Sequence, residues 1–395
     1  MKFLALLLLL AWLVSGSALL HAAELTGSLK TLDLYRSASP VAGFDSGAFS
    51  SNRLRLDLEQ PLDRHTFNAA LDYRWLLTDP AGLPPLPIAN LNRRVDLEKS
   101  WGRSNNSAQQ LQIDRLQLHL VGTDLEWDLG RQPIGFGRIA LFSPLDVIAP
   151  FPPDALDTDV RPGVDALRVT RYFGVGGQLG GTLVFGQQEE DNSYLLTFSH
   201  NWQQIDILAL GGSLRDRGMG GIGLAGSLGG LGLKGEMTYY EGKDVGRPNG
   251  DRSDNFVIGA IEGWFRLENG LILLSQYLYN GPGSHEPADY LSVAHSAPIT
   301  EGLTFLTGRQ YLLLAPSYEI HPLATLQGLL IWNLQDDSFL ARPLLDLSLS
   351  DNLALQLFWN FNAGEKPRAA LPLPVPRSEF GSAGDSGGMF LSWYF

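Results

Sequence analysis

The sequence predicts an all-β fold, a transmembrane antiparallel β-barrel of 16 or 18 strands with an inward-folded loop. Three observations lead to this prediction. Short segments along the whole chain alternate between apolar and polar residues, short connections alternate with long ones, and the chain ends on an apolar strand pattern, GGMFLSWYF. Helical spacing is not sustained in any stretch, so the period of two is the dominant signal.

The composition excludes several kinds of protein. The chain has 395 residues, no cysteine and a formal net charge of -13. The absence of cysteine rules out disulfides, thiolate metal sites, covalent haem attachment and a lipoprotein anchor. An acidic chain lacks the basic footprint of a nucleic-acid-binding protein, so nucleic acid is not an expected partner. Beyond the N-terminus, no window approaches the roughly 18 apolar residues of a membrane-spanning helix.

Residues 1–23 have the pattern of a secretory signal peptide. Lys2 precedes an apolar run from Phe3 to Val14, and small residues follow it. This order of a basic start, an apolar run and small residues is typical of such signals. Cleavage after Ala18 and cleavage after Ala23 are both compatible with it. We expect residues 24–395 to form one outer-membrane β-barrel.

The clearest strands lie at residues 51–60 and 66–75. The first sets leucines against charges, with Leu54, Leu56 and Leu58 on one face and Arg53, Arg55, Asp57 and Glu59 on the other. The second sets Phe67, Ala69, Leu71, Tyr73 and Trp75 against Asn68, Ala70, Asp72 and Arg74. Successive strand residues point to opposite faces, so one face meets an apolar medium and the other meets water. The length of roughly 10 residues matches a strand that spans a membrane.

The same alternation continues to the end of the chain. It is clear at 233–242 and 352–362, where Leu233, Gly235, Met237 and Tyr239 oppose Lys234, Glu236, Thr238 and Tyr240 in the first of the two. Weaker alternation predicts strands at 25–36, 110–121, 124–132, 164–173, 177–187, 191–201, 203–213, 218–228, 254–266, 270–280, 307–317, 322–333 and 339–349.

The connections and the aromatic residues agree with this arrangement. Long polar connections are predicted at 78–108, 133–163, 242–253, 281–300 and 363–385, with short turns between them. Outer-membrane barrels have short periplasmic turns and long outer loops. Aromatic residues also gather near the ends of the predicted strands, where membrane interfaces lie.

The C-terminal row Met389, Leu391, Trp393 and Phe395 is expected to face lipid, on a strand that closes the barrel against the first strand. It resembles the C-terminal signature of bacterial outer-membrane proteins, a terminal Phe preceded by alternating apolar residues. The resemblance implies recognition by the barrel insertion machinery. Roughly 22 residues per strand and connection, together with the even strand numbers of bacterial barrels, give 16 or 18 strands. A barrel of that size has an aqueous lumen.

Residues 130–169, GRQPIGFGRIALFSPLDVIAPFPPDALDTDVRPGVDALRV, fit this pattern least well. They combine six prolines with apolar residues, aspartates and arginines. Proline at this density cannot continue a β-ladder, and a loop that is both apolar and charged is expected to pack against something. The segment resembles one shared by a broad set of Gram-negative barrels, including alginate-export-type channels and the porin component of porin–cytochrome conduits. The resemblance covers residues 130–169 and implies a channel whose loop partly folds into the lumen.

Charged residues of this loop and of the wall are therefore the candidate channel-lining or constriction residues. Rings and constrictions of charge set the selectivity of a pore. A second role is compatible with the first, because Arg131, Asp146 and Arg161 could fasten the loop to the wall. The full set is Arg53, Arg55, Asp57, Glu59, Asp72, Arg74, Arg131, Arg138, Asp146, Arg161, Asp165 and Arg168.

Three functions remain open. The first is a porin-like channel for hydrophilic solutes in the cell outer membrane, with outer-membrane lipid and the insertion machinery as partners. The second is a sheath around a multihaem c-type cytochrome, in which haem would come only through that partner. The third is an outer-membrane enzyme or a structural barrel. The histidines show neither catalytic nor metal-ligand spacing, and Gly211–Gly221 lacks the Lys-Ser/Thr of a phosphate loop. We therefore expect no enzymatic activity, no cofactor and no metal.

Overall fold

The computed structural model describes residues 23–39, 45–79, 91–174, 176–247, 249–370 and 374–395. The predicted signal peptide lies almost wholly outside these residues. The described part forms one sheet of twenty strands: β1 Glu24–Arg36, β2 Gly47–Leu62, β3 His65–Thr78, β4 Glu98–Trp101, β5 Ser107–Val121, β6 Leu125–Pro133, β7 Gly163–Phe173, β8 Gly177–Val184, β9 Ser193–Trp202, β10 Ile205–Leu214, β11 Arg217–Leu228, β12 Leu231–Glu241, β13 Asn255–Arg266, β14 Ile272–Asn280, β15 Gln310–Leu314, β16 Ser317–His321, β17 Ala324–Asn333, β18 Phe339–Ser350, β19 Leu353–Ala363 and β20 Ser386–Tyr394.

The sheet closes into an antiparallel barrel of 18 wall strands. The last strand pairs with the first, from Ser28 opposite Tyr394 to Arg36 opposite Ser386. In the described residues, β15 and β16 are two parts of one wall strand, and β4 pairs only with β5. The all-β prediction is confirmed, and of the two strand numbers predicted the larger is right.

The two ends of the barrel differ as the sequence predicts. The first strand begins at Glu24 and the last strand leads into Phe395 at the same end of the barrel. At this end, the connections between strands have two to five residues. At the turn between β11 and β12, Gly229 and Gly230 have φ angles of 56° and 86°. Two positive φ values in a two-residue hairpin are typical of a turn that matches the strand twist. At the other end most connections are longer, and the longest between wall strands are 79–106, 134–162, 281–309 and 364–385.

Three details of the predicted elements are wrong. The predicted strand at 307–317 covers β15 and only the first residue of β16, which continues to His321; the two are interrupted before Ser317, where Pro316 has no N–H to donate. The long connection predicted at 78–108 contains β4. The connection predicted at 281–300 extends to residue 309 and contains a 3-10 turn at Pro287–Asp289 and two short α-helices, α1 Tyr290–Ala294 and α2 Ala297–Thr300. No helix among the described residues is long and apolar enough to cross a membrane.

The outside of the barrel is apolar along the predicted rows. Met389, Trp393 and Phe395 are 44%, 42% and 50% exposed on the outer face. On β12, Met237 and Tyr239 are exposed, whereas Glu236, Thr238 and Tyr240 are buried on the inner face. The faces predicted for these strands are confirmed.

The inside of the barrel is divided. Apolar inner side chains of β7 to β15, β17 and β18 form one buried cluster with the connection after β6, which contributes Ile134, Phe136, Ile139, Phe142, Leu145, Val147, Ile148 and Ala149. The wall formed by β1, β2, β3 and β5 contributes nothing to that cluster and carries charged inner side chains instead. A charged inner wall therefore lies along the first strands of the barrel, beside the apolar cluster.

Candidate functional site: a charged passage beside the inward segment

Residues 134–162, here called the inward segment, connect β6 to β7. Its first half is held by three inner side chains of β12, β13 and β14. Glu236 accepts hydrogen bonds from the backbone N–H groups of Arg138 (2.6 Å) and Ile139 (3.1 Å) and from the hydroxyl of Ser143. Buried backbone groups outside a ladder need such partners. The segment is thereby fixed to the wall opposite β1 to β5.

Two further contacts extend this anchor. Glu262 accepts the N–H of Ala140 at 2.7 Å. The side-chain amide of Gln276 accepts the N–H of Phe142 (3.2 Å) and donates to its carbonyl oxygen (2.7 Å). Each polar group of the wall thus replaces a strand partner that the proline-rich segment lacks.

The second half of the segment contacts the other side of the barrel. Asp157 accepts hydrogen bonds from Lys30 (2.8 Å) and Arg53 (3.4 Å). Asp159 accepts from Lys30 (2.7 Å) and from the hydroxyl of Tyr394 (2.7 Å). Burial opposes ionisation of Asp159, but these hydrogen bonds outweigh it and lower the pKa of the carboxyl. The segment therefore reaches from β12–β14 to β1, β2 and β20.

The strand register brings the predicted wall charges together. One inner row runs through Lys30, Arg53, Arg74 and Gln110, and the next through Ser28, Arg55, Asp72 and Gln112. Arg53 donates two hydrogen bonds to the carboxylate of Asp72, both at 2.8 Å. Planar two-point pairing of this kind is the strongest geometry between these groups. The side chain of Arg55 is only 3% exposed and pairs with Asp57, Asp72 and Asp114.

Asp114 is the central residue of this network, and sequence reasoning missed it. It lies at a β-bulge, where β5 shifts register against Ala70 and Leu71 of β3. Its carboxylate accepts hydrogen bonds from Arg55 (2.7 Å), Arg93 (2.9 Å) and Arg115 (3.1 Å). Bulges often redirect a side chain at functional sites. The signal was in the sequence, because the apolar row changes phase between Ile113 and Leu116.

A cavity lies at each end of the charged rows. The cavity near the long connections is here called the outer cavity, and the one near the short turns is called the inner cavity. The outer cavity, about 510 Å³, is lined by Arg74, Arg93 and Gln110 on one side and by Ile148, Phe151 and Phe305 on the other. The inner cavity, about 240 Å³, is lined by Glu24, Asp57, Glu59, Asn68, Arg115 and Gln117. Between them lie the row of Arg55 and Asp72 and the acids of the inward segment. The side chain of Arg74 reaches Asp72 only at 4.0 Å.

Arg131 and Asp165 lie where β6 ends. Arg131 pairs with Asp165 at 2.8 Å and donates to the backbone carbonyl oxygens of Ile113 and Val95. Residues 91–101 cover the part of β5 that β6 leaves unpaired, through β4 and a hydrogen bond from Ile113 to Leu97. Arg131 therefore fastens residues 91–101, rather than the inward segment, to β5 and β7 of the wall.

The remaining predicted residues are more dispersed. Arg161 pairs with Asp146 at 2.5 Å and donates to the carbonyl oxygen of Ala149. Burial raises the pKa of the Asp146 carboxyl to about 6, although Arg161 opposes the shift. Arg138 lies on the far side of the segment, 3.4 Å from Asp206 of β10. Glu59 is exposed at the inner cavity, and Arg168 is half-buried opposite Asp128 in the register of β6 and β7.

A closed antiparallel barrel with an apolar outer surface, a polar inner wall and unequal ends is a transmembrane barrel of the outer-membrane type. No model of a protein family matches the sequence, and no curated protein sequence matches it significantly. Solved structures do match its fold. OccAB2 of Acinetobacter baumannii superposes with a TM-score of 0.61 at 9% identity, covering 96% of this chain and 99% of that chain.

Two further structures are similar over the same extent. OccAB4 of Acinetobacter baumannii has a TM-score of 0.59 at 10% identity, covering 95% of this chain and 98% of that one. A BenF-like porin from Pseudomonas fluorescens Pf-5 has a TM-score of 0.59 at 11% identity, with 96% and 100% covered. At these identities the comparison establishes the fold of the chain, which is that of outer-membrane porins.

Proposed function

We propose that this protein is an outer-membrane channel for hydrophilic solutes. The passage runs from the outer cavity to the inner cavity along β1, β2, β3 and β5, and the inward segment narrows it. The charged residues predicted from the sequence for β2 and β3 line this route, together with Lys30, Arg93, Asp114 and Arg115.

The division of the interior is the observation that carries the proposal. The inward segment packs its apolar side chains against β7 to β18 and turns Asp157 and Asp159 toward the basic side chains of β1 and β2. Polar and charged groups can replace part of the water around a hydrophilic solute, whereas an apolar wall cannot. On this side, the inner row of Lys30, Arg53 and Arg74 is continuous over β1, β2 and β3, so a polar solute would pass there.

The passage is narrow and carries both signs of charge. The guanidinium groups of Arg53 and Arg55 face the acids of the inward segment and of β3. Charges at a constriction act over a few ångströms in a medium less polar than bulk water, where their effect on ions is strong. We infer that the channel discriminates among solutes by charge as well as by size.

The sheath alternative is less well supported. A sheath needs a lumen wide enough for a partner protein, and here residues 134–149 fill the interior beside β7 to β18 with the chain's own apolar core. An inserted cytochrome would have to displace that core and the backbone contacts of Glu236. A channel requires no such rearrangement.

The absence of cysteine makes the route testable by single-cysteine variants. In planar bilayers, a charged thiol reagent should reduce the current through Arg74→Cys, at the outer cavity, and through Asn68→Cys, at the inner cavity. Leu210→Cys is the matched control, because Leu210 lies in the apolar cluster beside the segment. Folded protein that carries no current would refute the channel, and block at Leu210→Cys alone would refute the route.

A further inference from the structure

Three remote parts of the chain meet at one buried cation. Lys30 lies in the first strand and is 3% exposed. Its ammonium group contacts Asp157 and Asp159 of the inward segment at 2.8 Å and 2.7 Å. It also lies 5.9 Å and 5.6 Å from the ring centres of Phe390 and Tyr394 in the last strand. The junction of β1 and β20 is here called the seam.

Asp159 contacts both sides of the seam. It pairs with Lys30 of β1 and accepts the hydrogen bond of the Tyr394 hydroxyl from β20. Asp157 extends the contact to Arg53 of β2. The inward segment therefore forms charged bridges across the two strands that close the barrel.

The seam differs from the other junctions between strands. Other neighbouring wall strands lie close together in the sequence, whereas β1 and β20 come from opposite ends of the chain. Joining distant ends costs more loop-closure entropy than joining neighbours. The seam is thus the junction at which additional bridges contribute most, and a buried ammonium that loses its carboxylates is strongly unfavourable.

We propose that the inward segment holds the seam closed. Asp157 and Asp159 oppose the separation of β1 from β20, and in return Lys30 and Tyr394 position the second half of the segment in the passage. The role is separate from conduction, because it concerns the stability of the closed barrel. The same contacts therefore position the constriction and stabilise the closed barrel.

The test uses a disulfide across the seam. Thr31 and Leu391 are direct partners in the register of β1 and β20. Gly27 and Phe395, four residues away on each strand, exchange two backbone hydrogen bonds, so Thr31 and Leu391 form a pair of the same hydrogen-bonded type. Such pairs have Cα atoms about 5.5 Å apart, within the range of a disulfide. The variant Thr31→Cys/Leu391→Cys can be compared oxidised and reduced, with urea unfolding followed by the mobility of the folded barrel in gels.

Two sets of changes are introduced into that variant. Asp157→Asn/Asp159→Asn removes the seam contacts, and Glu236→Gln weakens the anchor of the same segment on β12. We expect the Asn pair to lower the urea midpoint in the reduced protein and to have little effect in the oxidised protein. Glu236→Gln should lower the midpoint in both states. An equal loss from the Asn pair in both states, or no loss in the reduced state, would overturn the proposal.

A milder variant covers the case in which the Asn pair does not fold. Tyr394→Phe removes only the hydroxyl that bonds Asp159. Its control is Tyr172→Phe, which removes a similar hydroxyl–carboxylate bond to Glu126 (2.9 Å) away from the seam. Destabilisation by Tyr394→Phe that the disulfide abolishes supports the proposal. Equal effects of the two tyrosine variants would contradict it.

Discussion

Asp114→Asn is predicted to destabilise the barrel strongly. Asp114 is 1% exposed, and its carboxylate faces Arg55, Arg93 and Arg115 at 2.7–3.1 Å. The change keeps the shape of the side chain and removes the negative charge that these three guanidinium groups share. Removing one partner of a buried ion pair costs about 3–5 kcal/mol. We expect a loss in that range, since the three contacts belong to one network and do not add.

Asp57→Asn is the matched control. Asp57 also pairs with Arg55, at 2.7 Å, but its side chain is 42% exposed. Ion pairs open to solvent contribute about 0–1 kcal/mol. Unfolding in urea, followed by gel mobility of the folded barrel, measures both variants. The reversal potential in a salt gradient should also shift toward anions in Asp114→Asn. Equal stability of the two variants would show that Asp114 does not organise the network.

Three further predictions concern the wall, the terminus and pH. Leu56→Arg places a charge on the lipid face and should lower the free energy of unfolding, measured by refolding into liposomes, by about 2–4 kcal/mol near mid-bilayer. The control Leu56→Met should be nearly neutral. Similar losses of stability for both variants would mean that the face of Leu56 is misassigned. Deleting residues 393–395 removes the hydrogen bonds between Gly27 and Phe395 (2.7 and 2.9 Å) and two lipid-facing aromatic side chains, so insertion should fall, and full insertion by heat-modifiable gel mobility would contradict this. The pKa of Asp146 in the folded protein is raised to about 6. Its contribution to stability is therefore largest below the unfolded pKa of about 4 and declines as the pH rises to about 6. Relative to wild type, Asp146→Asn should gain stability across that window, and parallel urea midpoints from pH 4 to pH 7 would refute the shift.

The faces of the strands could be predicted because a period of two depends only on local sequence. Leu56 and Arg55 point to opposite sides, as expected. The environment of Arg55 could not be predicted, because its partners Asp72 and Asp114 lie on other strands. On the inner face of β2, Arg55 is therefore part of a buried ion network, whereas Glu59 is exposed to solvent, although the alternation places both residues on the same face.

The composition of residues 130–169 predicted that this loop packs against something, but it did not predict where. Lys30 and Asp157 are 127 residues apart in sequence, and Glu236 and Arg138, which also contact each other, are 98 residues apart. Contacts at such separations depend on barrel closure and strand register. The register itself depends on features such as the bulge at Asp114, which local alternation shows only as a weak irregularity.

The central claim is that the chain conducts alone and that the inward segment limits the flow. The most direct test compares the single-channel conductance of the purified full chain with that of a variant in which residues 139–158 are replaced by a short Gly-Ser linker. Gel mobility verifies that both proteins are folded, and haem is assayed in protein purified from the native host. The account predicts haem-free protein that conducts, with higher conductance in the shortened variant. Folded wild-type protein without conductance, an unchanged conductance after shortening, or stoichiometric haem would contradict it.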